Sequence, residues 1–238
     1  MDKLNGKVAV VTAATRGIGY ACVKALAEKG AVVYLGARNM EKAKARAEEL
    51  NQAGCKVKTV YHDATEKESY GAMIEAVILA EGKIDILVNN FGTSNPEKDL
   101  DIKRTSYEEY MHTMELNLAS VFLPSQAVIP HMAENGGGSI INISSVGGVC
   151  PDISQIAYGT SKAAINYLTK LIAVQCARDN IRCNAVLPGM TATEAVEKHL
   201  STHLFILVNK HLKALSCKHE QHLYFSHLDI IFDAHSET

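Results

Sequence analysis

KVAVVTAATRGIGYACVKALAEKGAVVYLGARN, residues 7–39, decides the fold. Its opening run, KVAVVTA (7–13), is short, β-branched and apolar, and reads as a buried strand. GYACVKALAEKGA (19–31) has helical spacing and ends near Gly30, where glycine stops helices. AVVYLGA (31–37) is apolar and β-branched again. A strand, a glycine-rich turn, a helix and a second strand in succession make a βαβ unit, which requires parallel pairing of the two strands.

Outward from this unit the alternation continues. NMEKAKARAEELNQAG (39–54) reads as a helix with a charged face and a terminal glycine. KVKTVYHDA (56–64) and IDILVNNFG (84–92) read as strands, with a helical pattern over 66–82 between them. A helix from about residue 106, another through ELNLASVFLPSQAVIPHMA (115–133) and the strand GSIINISS (138–145) come next. A helix opened by Tyr158 and the strand IRCNAVLPG (181–189) complete six alternations. Repeated βα units predict an α/β fold, a doubly wound parallel sheet in a three-layer α/β/α sandwich of Rossmann type. Ligands on such sheets bind beyond the carboxyl ends of the strands, at the switch point.

Bulk properties narrow the function. Apolar residues make up 47% of the 238 positions, enough for a substantial core. A net charge of −2 offers no basic field to grip phosphates, which argues against a general nucleic-acid binder. Cys22, Cys55, Cys150, Cys176, Cys183 and Cys217 show no CxxC spacing and are expected to be reduced thiols. The start carries no signal-peptide pattern and no apolar run reaches membrane-span length. A cytoplasmic protein is expected, with no membrane partner.

TAATRGIG (12–19) sits where the first strand meets the first helix. Gly17 and Gly19 would allow a cofactor close to the backbone, and the helix N-terminus favours phosphate through its free N–H groups. A purely structural turn would look similar; the position after an apolar strand favours the nucleotide reading. At the end of the second strand an acidic residue would bind the ribose hydroxyls of NAD, whereas arginine accommodates a 2′-phosphate. The sequence there is LGARN, with Arg38 and Asn39 and no acid, and Arg16 lies in the glycine turn. The guanidinium fork suits phosphate, so NADP is the expected cofactor; two merely solvated arginines are the alternative.

Within AYGTSKAAINYLTKLIAVQCA (157–177), Tyr158 and Lys162 lie four apart and share a helix face. An adjacent ammonium would favour the phenolate and lower a pKa that is otherwise near ~10. Such a pair is also common as plain helix surface, and its company decides. The ordered set of the glycine-rich turn (12–19), NNFG (89–92), Asn117, Ser145, Tyr158 with Lys162, and PGMTAT (188–193) resembles the short-chain dehydrogenase/reductase family. The resemblance spans residues 1 to about 198. INISSVGGVCPDISQIAYGTSK (141–162) and IRCNAVLPG are similar, more narrowly, to bacterial 7α-hydroxysteroid dehydrogenases of clostridial type.

That resemblance implies a role for each residue. Tyr158 would exchange a proton with the substrate oxygen, Ser145 would hold that oxygen, and Lys162 would tune the tyrosine and grip the nicotinamide ribose. Asn117 would position a water linking Lys162 to solvent. From the residues alone, Ser144 competes with Ser145 and Asn117 could be a helix cap. Thr12, Thr15, Arg16, Gly17, Ile18, Gly19, Arg38 and Asn39 would surround the cofactor phosphates. Asp63 and Ala64 would face the adenine, and Asn90 and Gly92 the adenosine and its ribose, with Asn89 supporting the strand ends. Pro188, Gly189 and Thr193 would meet the nicotinamide end, with Thr191 as the alternative carboxamide contact. The implied activity is NADP-dependent interconversion of a secondary alcohol and a ketone, with 7α-hydroxy and 7-oxo bile acids as small-molecule substrates. Reduction of another ketone, such as a 3-oxoacyl thioester, and a non-catalytic nucleotide-binding protein are the alternatives.

Two departures from the family stand out. Ala13 replaces the usual glycine after Thr12, a mild change provided its φ stays negative. From His199 onward glycine and proline disappear and seven of the ten histidines cluster. His199 and His203 lie one turn apart, but the remaining spacings follow no metal-ligand pattern, and no metal is expected. A divergent tail (199–238) or a reading-frame change would explain this segment. Either implies loss of the usual last strand and puts the family's tetrameric assembly in doubt.

Overall fold

The computed structural model describes residues 3–189 and 191. Six strands, Val8–Val11 (β1), Val32–Ala37 (β2), Lys56–Tyr61 (β3), Ile86–Asn89 (β4), Gly138–Ile143 (β5) and Ile181–Val186 (β6), form one sheet in the order β3-β2-β1-β4-β5-β6. Every pairing is parallel, as the βα alternation predicts. Between them run helices Gly17–Glu28 (α1), Met40–Gln52 (α2), Lys67–Glu81 (α3), Tyr107–Glu134 (α4) and Ile156–Gln175 (α5). The strand order turns back between β1 and β4, so their carboxyl ends open the crevice where ligands of such sheets bind.

Strand side chains alternate between faces, and this splits the core in two. On one face Ala9, Val11, Val33 and Leu35 pack against Val23 and Ala27 of α1 and Ala43, Ala47 and Leu50 of α2. On the other, Val8, Val10, Tyr34 and Val60 meet Met73, Ile74 and Val77 of α3, Val128 and Met132 of α4, and Ile172 of α5.

Three expectations need correction. The two helices anticipated between 106 and 133 are one, α4. Its buried polar residues suggest a boundary, yet they are satisfied internally: Ser120 Oγ donates to the Asn117 carbonyl, and Asn117 bonds to Thr93 and Ser161. Next, α5 begins at Ile156, two residues before Tyr158. Finally, Ala13 has φ +50°, in the left-handed region, so the condition for a harmless loss of glycine is not met. The segment expected to lack the last strand, the boundary at 198 and the tail lie outside the described residues. No helix among the described residues is long and apolar enough to cross a membrane.

Candidate active site

At the switch point the ends of β1 and β4 are tied together. Thr12 is buried, and its Oγ1 accepts from the N–H groups of Asn90 at 2.9 Å and Phe91 at 3.3 Å. Asn90 returns the contact, its Nδ2 donating to the Thr12 and Ala13 carbonyls at 3.1 Å each. Gly19 faces this knot so closely that a β-carbon there would come within 3.0 Å of the Ala13 carbonyl and crowd the Asn90 amide. Asn90 and Gly19 therefore shape the turn, with the Asn90 amide bracing it. Asn89 is an interior support, donating to Ser125 and Asn142.

No side chain caps α1: Arg16 occupies its N-cap in extended backbone and its side chain makes no cap bond. The first-turn N–H groups of Gly17, Ile18 and Gly19 thus face the crevice without a side-chain acceptor, the arrangement that receives a phosphate. Thr15 is half-buried beside them and Arg16 is exposed. Beyond β2, Arg38 is 73% exposed and lies 3.7 Å from an Asp63 oxygen. Asn39 is committed to capping α2, its Oδ1 accepting from Lys42 N. Asp63 is buried at the end of β3; two bonds from Thr65 and the nearby Arg38 hold its carboxyl below the usual range. Ala64 is buried, with its carbonyl accepting from Tyr70.

Strand β5 and helix α5 bring the remaining candidates together. Ser144 is buried and its hydroxyl donates to the Lys162 carbonyl, while the Ser145 hydroxyl accepts from Gly147 N and lies near enough to the Tyr158 phenol to favour its ionised form. Of the two serines, Ser144 has its hydroxyl committed to the Lys162 carbonyl, and Ser145 is the one that bears on the phenol. Lys162 is buried, its Nζ donating to the Ile143 carbonyl at 2.9 Å and lying 5.6 Å from the Tyr158 ring centroid. Burial lowers its pKa to about 8. The expected acidification of Tyr158 is not found in this arrangement: burial pushes the phenol up, and the Ser145 hydroxyl only partly opposes it.

Gly92 leaves room for that ammonium, because a β-carbon at 92 would sit 2.9 Å from Lys162 Nζ. Asn117 lies in the middle of α4, so it is not a helix cap. Its side chain clamps the backbone of Thr93 at 2.8 and 2.9 Å and reaches Ser161. Pro188 accepts from Val146 N, drawing the end of β6 against the turn after Ser145. Gly189 and Thr191 are exposed and linked by one bond; Thr193 lies outside the described residues.

Sequence reasoning missed Asp99. This buried carboxylate accepts from Ala157 N and Tyr158 N, each at 2.9 Å, across separations of 58 and 59 residues. Nothing local in the sequence signals a cap supplied from so far away. A serine, a tyrosine and a lysine thus converge at strand ends, in a sheet whose first helix starts without a side-chain cap. Such a group can hold an oxygen and pass it a proton next to a nucleotide.

The family model for short chain dehydrogenases matches residues 7–203. The chain is 51% identical over 201 residues to a 7α-hydroxysteroid dehydrogenase of Clostridium sardiniense, covering 84% of this chain and 77% of the relative. It is 52% identical over 195 residues to one of Paraclostridium sordellii, covering 82% and 73%. Its structure is similar, with a TM-score of 0.81 and 31% identity, to gluconate 5-dehydrogenase of Burkholderia cenocepacia J2315 in complex with NADP and tartrate, over 88% and 81% of the two chains.

Proposed function

Because this chain belongs to the short-chain dehydrogenase family, an oxidoreductase family working with NAD(P) on small molecules, we propose that it is NADP-dependent and interconverts 7α-hydroxy and 7-oxo bile acids in the cytoplasm. The observation that carries this reading is the meeting of Ser145, Tyr158 and Lys162, in a sheet whose first helix, α1, starts without a side-chain cap. When bound, the dinucleotide supplies or accepts the hydride. The chain's own groups do the rest. Tyr158 gives a proton to the forming alkoxide in reduction and takes it back in oxidation. Ser145 fixes that oxygen by hydrogen bonding, and Lys162 supplies positive charge beside it. Bringing an anionic dinucleotide near Lys162 favours its ammonium, which burial alone weakens.

Two features support the finer details. The end of β2 offers Arg38 and no acid, which suits a 2′-phosphate. The loop after Ser145 exposes apolar side chains, Val149 at 57% and Ile153 at 92%, which suits a substrate with a large apolar body. The names of the similar clostridial proteins point the same way. Self-association belongs to the proposal too, since α4 and α5 present an exposed apolar groove on the side away from the sheet.

The test is one assay of the purified chain with chenodeoxycholate or cholate, comparing NADP and NAD. Turnover that prefers NADP and falls to a small residual rate in Tyr158→Phe is expected. Nucleotide binding without turnover on bile acids or simple ketones would sink the catalytic reading. A strong preference for NAD, unchanged in Arg38→Asp, would sink the cofactor choice alone.

A further inference from the structure

The first turn of α5 carries Tyr158, yet nothing in its own strand of sequence caps it. Gln155, the residue before the helix, is held at φ +58°, a left-handed conformation costing about 1–2 kcal/mol for a residue with a β-carbon. Strain of that kind persists only where neighbours over-determine it. The neighbours here come from the 93–105 loop. Ser94 Oγ donates to Gln155 Oε1 at 2.9 Å, and the carbonyls of Asp99 and Leu100 accept from Gln155 N and Ile156 N at 3.1 Å each. The Asp99 carboxylate takes the next two donors, Ala157 N and Tyr158 N. Four successive N–H groups of a helix start are therefore satisfied by one loop.

Resting on the reading of Tyr158 given above, we infer that Asp99 is a positioning residue for proton transfer, anchoring the backbone of Tyr158 so that its hydroxyl keeps its place in the site. Asp99 is buried, and its carboxylate bonds are to backbone donors. It touches the reacting atoms only through the residue it holds. Ionised carboxylates are strong helix N-caps, because they answer both the free N–H groups and the helix dipole. At the start of the same 93–105 loop, Thr93 is clamped by Asn117 of α4. Loop, cap and tyrosine are consequently held together by these bonds as one block.

The experiment compares full-length Asp99→Asn, which keeps one acceptor oxygen, and Asp99→Ala, which keeps none. With NADP affinity held within about twofold, kcat is expected to fall in the order wild type, Asn, Ala, by roughly 10- to 100-fold for Ala, the scale of loss that small misplacement of a reacting group produces. Amide hydrogen exchange should rise at 155–158 and stay unchanged in the later turns of α5. In a Tyr158→Phe background the further loss of kcat from Asp99→Ala should vanish, because a residue acting through Tyr158 has nothing left to position. A general structural role would instead multiply the two losses, and that result overturns the inference. So does a folded Asp99→Ala with wild-type kcat or with flat exchange at 155–158. If both Asp99 variants fail to fold, Ser94→Ala loosens the same block and carries the same ordering of kcat against NADP affinity; wild-type kcat there would count against the block. Tyr158→Phe alone retaining wild-type turnover sinks the functional reading, and leaves the exchange result to judge the anchoring by itself.

Discussion

Ala13 shows how a single missing hydrogen-sized side chain matters in the turn between β1 and α1. Its φ of +50° places a β-carbon where only glycine sits at no cost, and its carbonyl must still accept from Asn90. The left-handed conformation costs a non-glycine residue about 1–2 kcal/mol. Glycine would recover that and lose about 0.5–1 kcal/mol to the greater freedom of its unfolded chain. Ala13→Gly is therefore expected to stabilise the protein by about 0.5–1 kcal/mol net, measured as a higher urea midpoint with an unchanged slope. A lower midpoint would mean that the alanine methyl packs favourably enough to outweigh its strain. The departure itself was legible in the sequence and its conformation was not, because φ at a turn is set by the strands it joins. Ser145 illustrates the converse. Two adjacent serines are chemically equivalent on paper, and only the tertiary bond of Ser144 to the Lys162 carbonyl separates them.

Elements were readable where periodicity was strong, and their joints were not. The six strands and the helices between them follow from apolar spacing, whereas the continuity of α4 depends on Asn117 finding Thr93 and Ser161, and Ser120 the Phe91 carbonyl, outside the helix. Asp99, capping α5 from a distant loop, was invisible for the same reason. The joint between β3 and α3 is another such place. His62 ends β3, is buried, and packs its ring at 4.5 Å against Tyr70 of α3, with Nδ1 on Ser69 and Nε2 unpartnered. Burial lowers its pKa from 6.5 to about 4. The unfolded chain thus binds a proton on this ring between pH 6.5 and 4 while the folded chain does not, so stability falls as pH drops through that window. At about 1.4 kcal/mol per unit the loss is on the order of 3 kcal/mol. Asp63 and Asp85, whose carboxyls lie below the usual range, lose their contribution only at lower pH. Urea midpoints at pH 7 and pH 4.5 should differ in the wild type and converge in His62→Phe, which keeps the ring packing and removes the titration. Equal pH dependence in both proteins would show that the joint is not what acid attacks.

At the scale of the whole molecule, the inward faces of α4 and α5 are spent on the sheet and the site, and their outward faces are left apolar. On α5, Ser161, Lys162 and Ile165 point inward, while Tyr167 is 64% exposed and Val174 77% exposed. With Phe122, Leu123 and Leu171, Tyr167 borders a groove of about 540 Å³, rimmed by the Lys67–Glu115 ion pair at 2.6 Å. Scattered exposed apolar residues need no explanation, but a contiguous patch on two neighbouring helices does. A second copy of the same chain is the occupant this face fits, because a two-fold axis would set each pair of helices on its counterpart and bury both patches together. The full chain should then sediment at a multiple of 25.8 kDa at micromolar concentration. Tyr167→Glu would place like charges against each other across the axis and should shift the protein to monomer. Since Tyr167 faces away from Ser145, Tyr158 and Lys162, nucleotide affinity should persist in the monomer. Wild-type protein that sediments as a single chain would remove the self-association proposal, and it would leave the crevice between β1 and β4, which needs no partner, as it stands.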